Sequence, residues 1–236
     1  MRTTIIKTTF IVLWIGILLT SCRKDNDAVK RDTFDINNLR LEDYCIYANF
    51  NTRNGALKNQ VRLFEFIPGN KLKAYSAESD RGYQYSYVIK NSNTLDVEGG
   101  LYLISFNQNG GITSIIHPND NYLFDHPVLI KKPATDQLAG KTFAGRYYTQ
   151  EGTDIHNKNL IYKFRSDGKV EAGFDIDNPL RTEKYNLVGN IAATTRITGM
   201  VNSYEIMVLV NGKLEVNTRN GVADPVRTEY GTFTQQ

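Results

Sequence analysis

The sequence predicts an all-β protein built from antiparallel meanders, and three observations carry that expectation. Beyond residue 40 no stretch keeps a helical period. Instead, short segments of alternating apolar and polar residues recur, separated by Gly, Asn, Asp and Pro. Hairpin turns sit between them, most clearly Asn211-Gly212, two residues that accept the positive φ angles of a type I′ turn. The pattern also repeats. Phe66 and Phe164 are 98 residues apart, and at that offset Lys71-Leu72-Lys73-Ala74 aligns with Lys169-Val170-Glu171-Ala172 and Tyr87 with Tyr185. Asn109 aligns with Asn211 at 102, with the extra residues falling in 198–202.

The first 21 residues are a different kind of segment. Arg2 and Lys7 precede an apolar run from Phe10 to Leu18, the charged start and apolar middle of a secretory signal. The run is too short to span a bilayer comfortably, which takes about 20 residues. It ends in Leu19-Thr20-Ser21-Cys22. That ending resembles the lipobox of bacterial lipoproteins. The resemblance implies that Cys22 is joined through its sulfur to diacylglycerol, becomes the N-terminus after cleavage and is acylated on its amine, with fatty chains such as palmitate. More than one chain supplies the two signals that stable anchoring needs. The implied location is the outer membrane, lipid-anchored. Lys24-Asp25-Asn26-Asp27 resembles the Lys-plus-acidic signal that sends some lipoproteins to the cell surface; a solvated spacer is the other reading.

Residues 22–40 are polar and mixed in charge, which predicts a lipidated flexible tether. The first β unit follows over 41–131, with strands expected near 44–50, 60–67, 71–77, 83–90, 94–98, 101–107, 111–116 and 127–131. A polar linker, Lys131-Lys132-Pro133-Ala134-Thr135-Asp136-Gln137, leads to the second unit over 138–236. Its strands are expected near 142–149, 159–165, 169–175, 182–188, 191–196, 203–210, 213–218 and 227–234. Eight antiparallel strands per unit can close on themselves and lose their edges, or pack as sandwiches. The second unit resembles the lipocalin-like domains of bacterial lipoproteins, through Leu138-Ala139-Gly140-Lys141-Thr142-Phe143, Phe164-Arg165-Ser166-Asp167-Gly168-Lys169-Val170 and Val210-Asn211-Gly212-Lys213-Leu214-Glu215-Val216. The resemblance implies an antiparallel barrel whose interior can but need not hold a ligand, and it carries over no catalytic residue; with the repeat, the expectation is two tandem eight-stranded lipocalin-like barrels or sandwiches. Such domains usually place Trp where Phe143 stands.

Charge and cysteine content narrow the function. With Arg2 and Lys7 lost in the signal, 26 Lys and Arg face 25 Asp and Glu, a balance that argues against nucleic acid as a partner. Cys45 is then the sole thiol of the mature chain. It lies in an apolar, strand-like run and is expected to be buried and inert. His117, His126 and His156 have no metal-site spacing, no cofactor motif is present, and no nucleophile elbow or phosphate loop occurs. Asp175-Ile176-Asp177-Asn178 reads as an acidic turn, and Asp154-Ile155-His156 as a solvated loop. Asp96 and Glu98 share a strand face by period, but two carboxylates on one strand do not make a glycosidase cleft.

The most suggestive set is Tyr83, Tyr85 and Tyr87, on one strand face continued by Ile89. Such a row suits a sugar platform or a cavity wall, and equally the core of the first unit, which is the expectation. In the repeat, Arg181 and Glu183 replace Tyr83 and Tyr85. An inward charged pair is costly in a dry core, so these two point to an open barrel mouth or to a locally shifted alignment. These five are the candidate ligand-binding residues. The expected function is a non-catalytic envelope lipoprotein that binds a small ligand, glycan or lipid. A protein-interaction component of an outer-membrane complex is the alternative, and a glycan hydrolase with dispersed carboxylates the third reading.

Overall fold

The computed structural model describes residues 34–221 and 227–236. The signal, Cys22 and the stretch 22–33 lie outside the described residues. Phe34–Gln236 forms one compact unit that contains two antiparallel, nearly closed, barrel-like sheets.

The first barrel is a meander of eight strands: β1 (Tyr44–Thr52), β2 (Gln60–Ile67), β3 (Lys71–Ser76), β4 (Ser79–Asn91), β5 (Thr94–Val97), β6 (Tyr102–Phe106), β7 (Ile112–Ile116) and β8 (Tyr122–Lys131). Strand β8 returns to pair with β1, giving the order β7-β6-β5-β4-β3-β2-β1-β8. Strand β4 does double duty: its first half pairs with β3 and its second half, from Tyr87, with β5.

The second barrel holds β9 (Thr142–Thr149), β10 (Leu160–Phe164), β11 (Lys169–Gly173), β12 (Arg181–Lys184), β13 (Asn186–Val188), β14 (Ala192–Arg196), β15 (Tyr204–Val210), β16 (Lys213–Asn220) and β17 (Arg227–Gln235). Its ladder runs from β12 at one end to β13 at the other. These two are consecutive in the chain, separated by Tyr185 alone, so one kinked segment belongs to both edges and closes the barrel covalently. The segment expected as a single strand over 182–188 is this kinked pair.

The kink is the same in both barrels. The Tyr87 N–H donates to the Asn70 carbonyl at 2.9 Å and the Tyr185 N–H to the Gly168 carbonyl at 3.2 Å. Each tyrosine stands edge-on to the phenylalanine that the repeat predicts, Phe66 at 5.4 Å and Phe164 at 5.5 Å, both at 80°. The turns follow their sequence signals: Asn211 and Gly212 adopt φ of 50° and 76°.

Each barrel has its own core. In the first, Ile46, Phe64, Phe66, Leu72, Leu95 and Ile104 point inward; in the second, Phe143, Tyr162, Phe164, Val170, Leu214 and Phe233 do. A third core joins the barrels. Cys45, Tyr47 and Leu63 on the outer face of β1 and β2 pack with Ala192, Ile206 and Val208 on β14 and β15. Strands buried on both faces lose their alternation, and this is why β1 and β15 read as continuous apolar runs. Burial pushes the Cys45 thiol up to about 12, against the opposing pull of Lys132. The linker is tied to both sides. The Lys132 ammonium donates to the Phe66 carbonyl at 2.7 Å and pairs with Glu65 at 3.1 Å. Asn190 donates to the Pro133 carbonyl at 2.8 Å.

Two expectations are corrected. The flexible tether does not extend to residue 40: Phe34 stacks on Phe106 at 5.6 Å, and Ile36 is fully buried in the first barrel. The N–H groups of Phe34 and Ile36 bond to Gln108 and Ser92, so this segment closes one end of the barrel because its scattered apolar residues are needed there. Asp96 and Glu98 do not share a strand face. Strand β5 ends at Val97, and Glu98 turns away with φ 51° to accept the Ser86 N–H at 2.7 Å. Asp96 pairs with Lys90 at 2.8 Å.

Candidate functional site

The two groups of sequence-predicted candidates fall in different barrels. Tyr87 is buried in the first core, Tyr85 is partly buried at 6.1 Å from Tyr102, and Tyr83 is 52% exposed. The row shares a face as expected, but it climbs out of the core. Ile89, beside a register shift in β4, is 37% exposed. Tyr85 sits with Tyr102, Phe124 and Phe64 in an aromatic group that fills this end of the barrel.

Arg181 and Glu183 face into the second barrel, where they meet residues that the sequence reading did not single out. The centre is Glu205, the one charge in the apolar strand β15 and completely buried in its side chain. Arg181 Nη2 donates to Glu205 Oε1 at 2.8 Å and Oε2 at 2.9 Å, while Nη1 donates to Glu183 Oε2 at 3.0 Å. Glu205 Oε1 also accepts from the hydroxyls of Tyr147 at 2.8 Å, Tyr162 at 2.5 Å and Thr218 at 2.8 Å. Five strands supply these groups, and register places Thr218 directly opposite Glu205. Gly231 makes room at the β9–β17 crossing, since a Cβ there would lie 2.5 Å from the Arg146 carbonyl and 2.7 Å from the Phe233 ring.

Burial alone would raise the Glu205 carboxyl. The Arg181 guanidinium and the hydrogen bonds outweigh it and hold Glu205 below the usual carboxylate range. For Glu183 burial wins over Arg181, and its carboxyl is raised. The guanidinium itself is held well above its ordinary value despite burial, chiefly by Glu205. The cluster is an ion pair with its remaining lone pairs filled, the condition under which a buried charge is tolerated. A charge standing alone in an apolar strand, at an inward position, was the sequence signal for Glu205.

Above this floor the barrel opens into a cavity of about 400 Å3. Its apolar wall comes from Leu160, Ala172, Phe174, Leu180 and Met200, and its polar side from Arg181, Glu205, Thr218 and Glu229. The loops around it carry exposed apolar side chains: Leu180 is 69%, Val201 65%, Met200 45% and Ile176 39% exposed. A larger trough of about 620 Å3 runs along Asp80, Lys184, Asn186 and Arg196 and shares Ile197, Thr198 and Met200 with the cavity lining. The carboxylates expected as an acidic turn do form one, with the Asp177 N–H donating to Asp175 at 3.0 Å. Asp154 pairs with Arg146 at 2.7 Å. Among the described residues no three His, Cys, Asp or Glu side chains are grouped as a metal site. No family model matches the chain, and no curated protein matches it.

Proposed function

We propose that this chain is a lipid-anchored protein of the bacterial outer membrane that binds a small ligand in the mouth of its second, lipocalin-like barrel without transforming it. The observation that carries the reading is the cavity itself. It has the size of a small-molecule site, with an apolar wall and a few convergent polar groups. The Arg181–Glu205 floor supports binding over chemistry. Glu205 is ionised, with its hydrogen bonds filled, so it is poorly placed to take a proton from a substrate. The signal ending at Cys22 supports the membrane anchor.

Native mass spectrometry of the unit Phe34–Gln236 purified from its own host tests the binding reading. An adduct that is lost in Leu180→Arg is expected; a bare mass under gentle conditions would remove it. For the anchor, metabolic labelling with an alkyne fatty acid should mark the wild type and not Cys22→Ala. Equal labelling of the two overturns it.

A second reading rests on the exposed apolar rim, Leu180, Val201, Met200 and Ile176. Exposed apolar side chains on the loops around a mouth also suit contact with another envelope protein. Crosslinking from a photoreactive residue at position 201 would capture such a partner.

A further inference from the structure

We infer that the second-barrel cavity selects cationic amphiphiles, an ammonium or amine on an apolar body, and rejects carboxylates. This rests on the binding reading above and names the ligand class.

Among the described residues three charged side chains line the cavity: Arg181, Glu205 and Glu229. The first two cannot serve a ligand. Arg181 is engaged by two carboxylates, at 2.8 Å and 3.0 Å, and Glu205 by four donor groups. An incoming carboxylate would therefore find no guanidinium fork free. It would instead meet a buried cluster of one cation and two anions.

Glu229 is different. It sits on β17 at an inward position, directly opposite Thr218 and in line with Gly231 and Phe233. It is partly buried, and its carboxylate makes no hydrogen bond or ion pair with any described residue. Arg227 and His156 act on it only through space. A partly desolvated, unpartnered carboxylate beside an apolar wall is a ready acceptor for a ligand N–H. The wall already tolerates an ammonium. The Lys158 Nζ lies 3.8 Å from the centre of the Phe174 ring at the rim, the geometry of a cation–π contact. A ligand cation that takes the place of Lys158 on the Phe174 ring has an aromatic face at the rim and the Glu229 carboxylate on the same cavity lining.

Binding of three probes with the same tail separates the possibilities: octylammonium, octanol and octanoate, each measured by calorimetry below its aggregation threshold on the unit Phe34–Gln236. Octylammonium should bind about tenfold tighter than octanol, roughly what one charge-assisted hydrogen bond contributes, and octanoate should not bind. In Glu229→Gln the preference for octylammonium over octanol should vanish while the melting temperature holds. If Glu229→Gln unfolds the protein, the wild-type ranking of the three probes still decides. Equal or tighter binding of octanoate, or an unchanged preference in a folded Glu229→Gln, overturns the inference and leaves the binding reading standing. Silence of all three probes overturns both.

Discussion

The two barrels share a frame and differ in what fills one end of it. Each opens with a meander, kinks at a tyrosine packed edge-on to a phenylalanine, and is closed at one end by an apolar plug, Ile36 in the first and Leu138 in the second. At the other end the first barrel is filled with rings, Tyr85, Tyr102, Phe124 and Phe64. In the second the matching strand positions hold Arg181, Glu183 and Glu205, and a cavity remains above them. Register supports this match: Val97 faces Tyr102 in the first barrel as Thr195 faces Glu205 in the second. Rings fill volume by dispersion and ask for few partners. Charges demand partners, and the partners hold the wall open. The same backbone can therefore be a solid support or a receptacle, according to three or four side chains.

The most disruptive way to break the comparison is to remove Glu205. Glu205→Ala leaves the Arg181 guanidinium with Glu183 alone and takes the shared acceptor from Tyr147, Tyr162 and Thr218, and should cost about 3–5 kcal/mol in denaturant unfolding. Replacing all three charges together, Arg181→Met with Glu183→Leu and Glu205→Leu, makes this end resemble the first barrel and should recover most of that loss. The wild type should also show an acid limb. Because the folded-state value of Glu205 is depressed, its contribution is present above the ordinary glutamate range and is lost as pH falls through the depressed value. Glu183 acts oppositely: its raised value favours the folded state at low pH, and that contribution fades as pH rises through it. Melting temperatures across pH 2–6 (roughly that span) for wild type and Glu205→Ala should differ in the acid limb.

A smaller effect tests whether the barrels are separable. Ile206→Ala empties part of the shared core and should cost about 2–5 kcal/mol. If the barrels are coupled through this core, a single calorimetric transition moves down as a whole. If they unfold separately, as the linker position and the repeat suggest, two transitions appear and limited proteolysis cuts near 131–137. The fully buried Cys45, packed against Gly189 in this core, should stay unreactive to thiol reagents until the core opens.

The kink tyrosines offer a finer comparison. The Tyr185 hydroxyl donates to Asp136 at 3.1 Å, whereas the Tyr87 hydroxyl makes no hydrogen bond among the described residues. Tyr185→Phe should cost about 1 kcal/mol, and Tyr87→Phe close to nothing. Equal losses would mean that the ring contact alone sets both kinks. Smallest of all, Tyr83→Ala should shift stability by less than about 0.5 kcal/mol, because the side chain is more than half exposed. A larger loss would place Tyr83 in a core contact after all.

The sequence by itself determined the class and located every strand, although it took β12 and β13 as one and began β4 and β8 four and five residues late. Alternation and Asn-Gly turns are local features, and a strand of period 2 obeys them wherever the sheet goes. It also located the repeat, since the Phe66–Tyr87 and Phe164–Tyr185 pairs are preserved by packing and packing is written in residue size. It flagged Arg181 and Glu183 by their conflict with that repeat. What it could not determine was any relation across the barrel. Glu205, Tyr147, Tyr162 and Thr218 lie far apart in the chain and converge only because closure brings β9, β10, β15 and β16 around one axis. The ordered segment from Phe34 was equally hidden, because a few apolar residues in a polar stretch mean nothing until a barrel end needs covering. Only the tertiary structure decided which inward charges were paired and which, like Glu229, were left facing a cavity, since pairing depends on distance through space and the sequence records only distance along the chain.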